Sequence, residues 1–162
     1  MVSFRCIPIP TEVADRFRST GIDDRGNAVR RIVTTDDHPC PCRVCLCYSR
    51  AGEVMLLGSY DLPQPRGVYW TPSPIFVHAE PCTPYGADGP ADPIAPIVLE
   101  NALVSVRAYD AEDQCLYELG HVCDGADVAM PLDRAIGDSR TAFVNVHTAR
   151  PGCLLARVER TT

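Results

Sequence analysis

Apolar residues fall along this chain in short runs, and two-residue alternation is commoner among them than helical spacing. Phe4 to Ile9 alternates weakly and predicts an opening strand. Thr11 then reads as the N-cap of a short amphipathic helix, with Val13, Ala14 and Phe17 on one face and Gly21 as the stop. Asp23-Asp24-Arg25-Gly26-Asn27 is a turn signal, Val29 to Thr34 predicts a strand, and Glu53 to Tyr60 predicts a buried one. Leu103 to Tyr109 and Cys115 to Val122 flank the turn Asp110-Ala111-Glu112-Asp113, a hairpin by pattern. In its first arm Val104, Val106 and Ala108 share a face, which leaves Ser105, Arg107 and Tyr109 on the other. Pro131 to Ile136, closed by Gly137, predicts a second short helix, and the strands Ala142–His147 and Leu154–Glu159 end the pattern.

Nine of the fifteen prolines lie between Asp61 and Pro96, which rules out a helix or a central strand through most of that span. Only Ile75-Phe76-Val77-His78 reads as a strand within it, with Ile75 and Val77 directed to the core. The long loops on either side are of the kind that carry function. Strands outnumber helices and do not alternate regularly with them. The predicted fold class is therefore α+β: one domain over residues 1–162, an antiparallel or mixed β-sheet with two short helices and long proline-rich loops.

Charge narrows the function classes. The net charge is −6 and every basic residue is an arginine. A chain without clustered cations has no stripe with which to displace counterions, so no nucleic-acid partner is expected. With no lysine, Schiff-base and phosphate-loop lysine chemistry is excluded, and any anion must be met by guanidinium groups or backbone N–H. No window approaches the roughly 18 apolar residues of a membrane span. An odd number of cysteines, nine, behind an N-terminus without an apolar export run points to a reducing, cytoplasmic setting.

Four of those cysteines, with His38, crowd into His38–Cys47. Cys42 and Cys45 have the Cys-x-x-Cys spacing that lets two thiolates reach one tetrahedral ion. His78 and Cys82, spaced His-x-x-x-Cys, form a candidate second half, so a zinc site would combine Cys42, Cys45 and Cys82 with either His78 or Cys153. Buried reduced thiols are the alternative reading. For proton transfer the candidates are His78, with Glu80 two residues on to orient it, and His147. Arg107 and Tyr109 on one strand face, with Tyr69 and Trp70 from the proline-rich loop, are the candidate ligand-binding residues.

Several stretches carry a family likeness together: Pro41-Cys42-Arg43-Val44-Cys45-Leu46, Gly52-Glu53, Pro74-Ile75-Phe76-Val77-His78-Ala79-Glu80-Pro81-Cys82, Arg107-Ala108-Tyr109 and Val146 to Cys153. From about Phe4 to Arg160 the chain resembles the bacterial domain-of-unknown-function family numbered 1203. The resemblance implies a single small bacterial domain and brings no activity and no catalytic residues.

Two functions follow from these residues. The leading reading is a small cytosolic protein with a His/Arg-lined pocket for a small polar or anionic metabolite, in which a simple acid–base step would use His78, Glu80 and His147. It expects a concave pocket with His78 in its wall and Arg107 or His147 nearby. The alternative is a non-catalytic protein-interaction module stabilised by zinc.

Overall fold

The computed structural model describes residues 2–162, which form two antiparallel sheets with three helices, an α+β domain. The larger sheet has five strands in the order β1 (Phe4–Ile7), β8 (Leu154–Arg160), β7 (Phe143–Thr148), β5 (Val104–Tyr109), β6 (His121–Cys123). The smaller has three, in the order β2 (Arg30–Val33), β3 (Val54–Asp61), β4 (Pro72–His78). Proline at positions 72 and 74 is compatible with β4 because β4 has a strand partner on one side only.

Each sheet has its own apolar cluster. Helices α2 (Pro96–Leu99) and α3 (Ala129–Gly137) cover the five-stranded sheet with Ile97, Val98, Leu132, Ala135 and Ile136 against Val104, Val106, Val144 and Val146. Helix α1 (Thr11–Thr20) covers the three-stranded sheet with Val13, Ala14 and Phe17. Phe17 lies so close to Gly58 of β3 that a side chain there would begin 2.7 Å from its ring. Ile75 and Val77 are buried in the same cluster, as the alternation along that strand predicts. The clusters meet at Leu154, whose N–H donates to Ser73 Oγ at 2.8 Å and whose carbonyl accepts from Arg43 Nε at 2.6 Å.

Three elements differ from the sequence pattern. Thr11 is the first helical residue of α1 rather than its cap; Pro10 caps it without a side-chain bond. A third helix, α2, sits inside the proline-rich span, where Pro96 occupies the first turn and has no N–H to lose. The predicted second hairpin arm is interrupted: Cys115 bridges Tyr109 and Leu116 N–H donates to the Ala108 carbonyl, Tyr117–Leu119 then form a 3-10 turn, and His121–Cys123 resume the pairing with β5, which pairs at greater length with β7 on its other side. No helix among the described residues is long and apolar enough to cross a membrane.

Candidate metal centre

The Cys-rich segment turns tightly at its Cys-x-x-Cys. Leu46 N–H donates to the Cys42 carbonyl at 3.0 Å, and Leu46 takes a left-handed φ of 55°. That conformation costs a non-glycine residue roughly 1–2 kcal/mol. Burial holds it there, since Leu46 is fully enclosed in the larger core and its carbonyl accepts from Ile97 N–H at 3.0 Å. The turn is also fastened to the smaller sheet: Cys42 forms a parallel bridge with Phe76 of β4, and Arg43 N–H donates to the Phe76 carbonyl at 3.0 Å.

That bridge closes the long sequence gap between the two halves of the predicted metal motif. The ligand atoms of Cys42, Cys45, His78 and Cys82 all lie within 4.8 Å of one another. Cys42 Sγ is 3.8 Å from Cys82 Sγ, and Cys45 Sγ is 3.7 Å from His78 Nδ1. Tetrahedral zinc with Zn–S of about 2.3 Å and Zn–N of about 2.0–2.1 Å requires separations of about 3.8 Å between sulfurs and about 3.6 Å between sulfur and nitrogen. The Cys3His cluster could therefore hold a metal such as zinc. At 3.8 Å the sulfurs are much too far apart for a disulfide, whose bond is about 2.05 Å.

The four groups also share protons. Hydrogen bonds from Cys45 and Cys82 favour the Cys42 thiolate and push its pKa down, while Cys45, holding the proton toward Cys42, is pushed up. Hydrogen bonding to Cys42 first, and then to Cys82, raises His78 to about 11. Three thiols this close cannot all ionise unless a cation shares their charge.

Around the cluster, His78 presents its other nitrogen, Nε2, to Glu53 Oε2 at 3.1 Å, and the same oxygen accepts from Arg50 N–H at 2.7 Å. Sequence reasoning missed Glu53. The signal lay in strand register: Met55 stands opposite His78, and Glu53 is two residues before Met55, just ahead of β3. Glu80 does not orient His78, a correction to the sequence reading. The strand ends at His78, Ala79 N–H donates to the Val54 carbonyl, the alternation lapses, and Glu80 lies exposed with its carbonyl toward Arg18.

Arg43 is 1% exposed, yet no carboxylate pairs with it among the described residues. Its guanidinium donates to the carbonyls of Leu154 and Pro41. Burial lowers its pKa to about 10, and the neighbouring thiols of Cys153 and Cys42 work against that shift. Cys153 is thus a neighbour of Arg43 and lies outside the metal cluster; it follows β7, with its N–H bonded to Thr148 Oγ1.

The remaining predicted residues gather elsewhere. His147 is 3% exposed on β7, its Nδ1 2.9 Å from the Gly152 carbonyl and its Nε2 buried without a partner. Desolvation lowers its pKa to about 4, with the Arg107 charge as a second cause. Arg107, Tyr109 and Tyr69 line one cavity beside β5, whereas Trp70 turns away and donates from Nε1 to the Leu62 carbonyl at 2.8 Å. The expected single pocket is therefore split. His78 belongs to the smaller sheet, Arg107 and His147 to the larger, and neither histidine lines the best-formed surface cavities among the described residues.

Neither the curated proteins nor the solved structures contain a match to the chain. Residues 39–160 match the family described as "Protein of unknown function (DUF1203)". The matched span includes every residue of the Cys3His cluster and Glu53, and leaves β1, α1 and β2 outside it. The chain belongs to the DUF1203 family.

Proposed function

We propose that this chain is a non-catalytic, zinc-stabilised module in which Cys42, Cys45, His78 and Cys82 hold a structural ion. The observation that carries this reading is the convergence of the four ligand atoms within 4.8 Å. Three thiolates with one imidazole suit zinc, a borderline-soft ion content with tetrahedral geometry. Four protein ligands fill its shell and leave no position for a reactive water, which is the arrangement of a structural site. Glu53 would accept the His78 Nε2 proton, fixing the tautomer that leaves Nδ1 free to ligate.

Charge supports the same reading. A divalent ion with three thiolates and a neutral imidazole carries a net charge of −1, and the buried guanidinium of Arg43, next in sequence to Cys42, is a cation lacking a carboxylate partner. Each would offset the other, with Arg43 and Cys42 buried and the remaining ligands half-buried. General-base chemistry at His78 is disfavoured because its two ring nitrogens face Cys45 and Glu53. A reducing compartment such as the cytoplasm suits a chain whose nine cysteines are all free.

Elemental analysis of the purified protein tests the proposal. About one zinc per chain is expected, lost in Cys45→Ser and in Cys82→Ser and kept in Cys153→Ser. Folded wild-type protein without tightly bound metal, or equal metal loss in Cys153→Ser, would refute it.

A further inference from the structure

Away from the metal cluster, β5 forms one wall of a cavity of about 390 Å³ whose lining includes Tyr69, Ser105, Arg107, Tyr109, Tyr117 and His121. That volume falls within the range of small-molecule sites. The chain carries a net charge of −6, yet no aspartate or glutamate lines this cavity. Six of the fifteen arginines, Arg16, Arg18, Arg25, Arg66, Arg140 and Arg157, pair with a carboxylate. Arg107 does not, among the described residues: its side-chain bond is from Nε to Ser105 Oγ at 3.2 Å. The nearby acid Glu118 is engaged by Arg140 at 2.8 Å.

The fold places these groups deliberately. Ser105, Arg107 and Tyr109 occupy the face of β5 turned away from Val104, Val106 and Ala108, which face the larger core. The 3-10 turn that interrupts the expected hairpin arm brings Tyr117 up to Tyr69, with ring centroids 6.0 Å apart and hydroxyls 2.6 Å apart. Tyr69 in turn meets Tyr109 edge to face at 6.3 Å. Behind them Tyr109 stacks on Phe143 at 5.2 Å, and Arg157 lies over the Phe143 ring at 4.0 Å, so the aromatic wall is braced from the sheet side. Tyr117 is 72% exposed, a large apolar ring standing at the mouth of the cavity.

We propose that this cavity binds a small planar organic anion, its acidic group on the Arg107 guanidinium and its apolar body against the tyrosine rings. A planar guanidinium offers two parallel N–H donors to a carboxylate or phosphate, a match that a lone hydroxyl or amide cannot reproduce. Ser105 Oγ accepts from Arg107 Nε, which steadies the near side of the guanidinium and leaves its two terminal nitrogens as the donors for an anion. Rigid aromatic walls favour a flat ligand over an extended aliphatic one, because stacking area comes with little loss of side-chain freedom. The site is independent of the metal centre: it lies on the other sheet and shares no residue with the Cys3His cluster.

Calorimetric titration of the metal-replete full-length protein tests this with three probes: benzoate, phenyl phosphate and the neutral isostere benzamide. Saturable binding of at least one anion is expected, with benzamide weaker by about tenfold or more. Arg107→Gln should weaken the anion by about tenfold or more, and Arg107→Lys should fall between the two, since charge remains while the fork is lost. Comparison of benzoate with phenyl phosphate identifies the preferred headgroup. Tyr117→Ala, at an exposed position that leaves the core intact, should weaken both aromatic anions several-fold and leave metal content and thermal midpoint unchanged. Absence of saturable binding by either anion would overturn the proposal. So would equal affinity in wild type, Arg107→Gln and Tyr117→Ala, or benzamide binding as tightly as benzoate.

Discussion

The central strand of the five-stranded sheet, β7, is enclosed on both faces from Phe143 to His147, whereas β2 of the three-stranded sheet is exposed at Arg30, Arg31 and Val33. On one face of β7, Val144 and Val146 meet α3; over the other runs the segment after β3, where Asn145 Nδ2 donates to the Gln64 carbonyl at 3.3 Å. The larger sheet is thus secured by apolar area, worth about 25 cal/mol per Å² removed from water. The smaller has one short helix on it, and the segment along the edge of β4 is a cysteine turn with a left-handed leucine. A region with so little area to bury gains most from a covalent-strength tie. The four ligands supply one, because they come from the cysteine turn, the end of β4 and the loop beyond it.

The largest expected effect follows from removing that tie. Chelation, or Cys82→Ser, should cost about 4 kcal/mol, which at about 2–4 °C per kcal/mol lowers the thermal midpoint by about 8–16 °C. Hydrogen exchange should accelerate in residues 40–47 and in β3 and β4 while β5, β7 and β8 keep their protection. Uniform acceleration in both sheets would break the contrast. Conversely, Gly125→Ala should injure the larger half alone. A β-carbon there would stand 2.1 Å from the Val98 carbonyl oxygen and 2.6 Å from that of Asn101, backbone atoms that cannot yield. The expected loss is about 3 kcal/mol with metal content retained. Gly58→Ala in the smaller half meets the end of the Phe17 ring instead and should cost less, about 1 kcal/mol.

His147 sharpens the comparison through pH. Its folded pKa of about 4 lies below the ordinary value of 6.5, chiefly because burial disfavours the cation. The unfolded chain therefore binds this proton more readily, and the stability tied to neutral His147 is fully present above pH 6.5. It is lost progressively as pH falls toward 4, by about 3 kcal/mol at 1.36 kcal/mol per unit. Urea unfolding should show that slope in wild type, and in His147→Gln a flatter one over the same window. Equal slopes would show that His147 is not held neutral by the fold. A smaller effect is expected at Glu53: Glu53→Gln should weaken zinc about 10–100-fold through loss of the His78 partner, with little change at saturating metal.

Much of this was legible in the sequence, and the parts that were not share a cause. Cys42-x-x-Cys45 and His78-x-x-x-Cys82 are local spacings and can be read directly. Their union depends on the bridge from Cys42 to Phe76, a long-range pairing that no local pattern encodes, so the sequence leaves Cys153 open as a substitute for His78. Glu53 escaped for the same reason, since it reaches His78 through the register of β3 with β4, while Glu80 was favoured by alternation along a strand that ends before it. The apolar spacing of Cys115 to Val122 imitates one continuous strand, yet Tyr117–Leu119 form a 3-10 turn that splits the arm between the Cys115 bridge to Tyr109 and β6. Helix α2 is too short for any helical period to show, and its proline reads as a breaker unless it is known to begin a turn.

X-ray absorption at the zinc edge of the protein as purified tests the central claim most directly. A first shell of three sulfurs at about 2.3 Å and one nitrogen at about 2.0–2.1 Å is predicted, with one sulfur replaced by a lighter atom, or the signal lost, in Cys82→Ser. A shell of nitrogen and oxygen alone, or a wild-type spectrum unchanged by Cys82→Ser, would contradict a structural zinc held by Cys42, Cys45, His78 and Cys82.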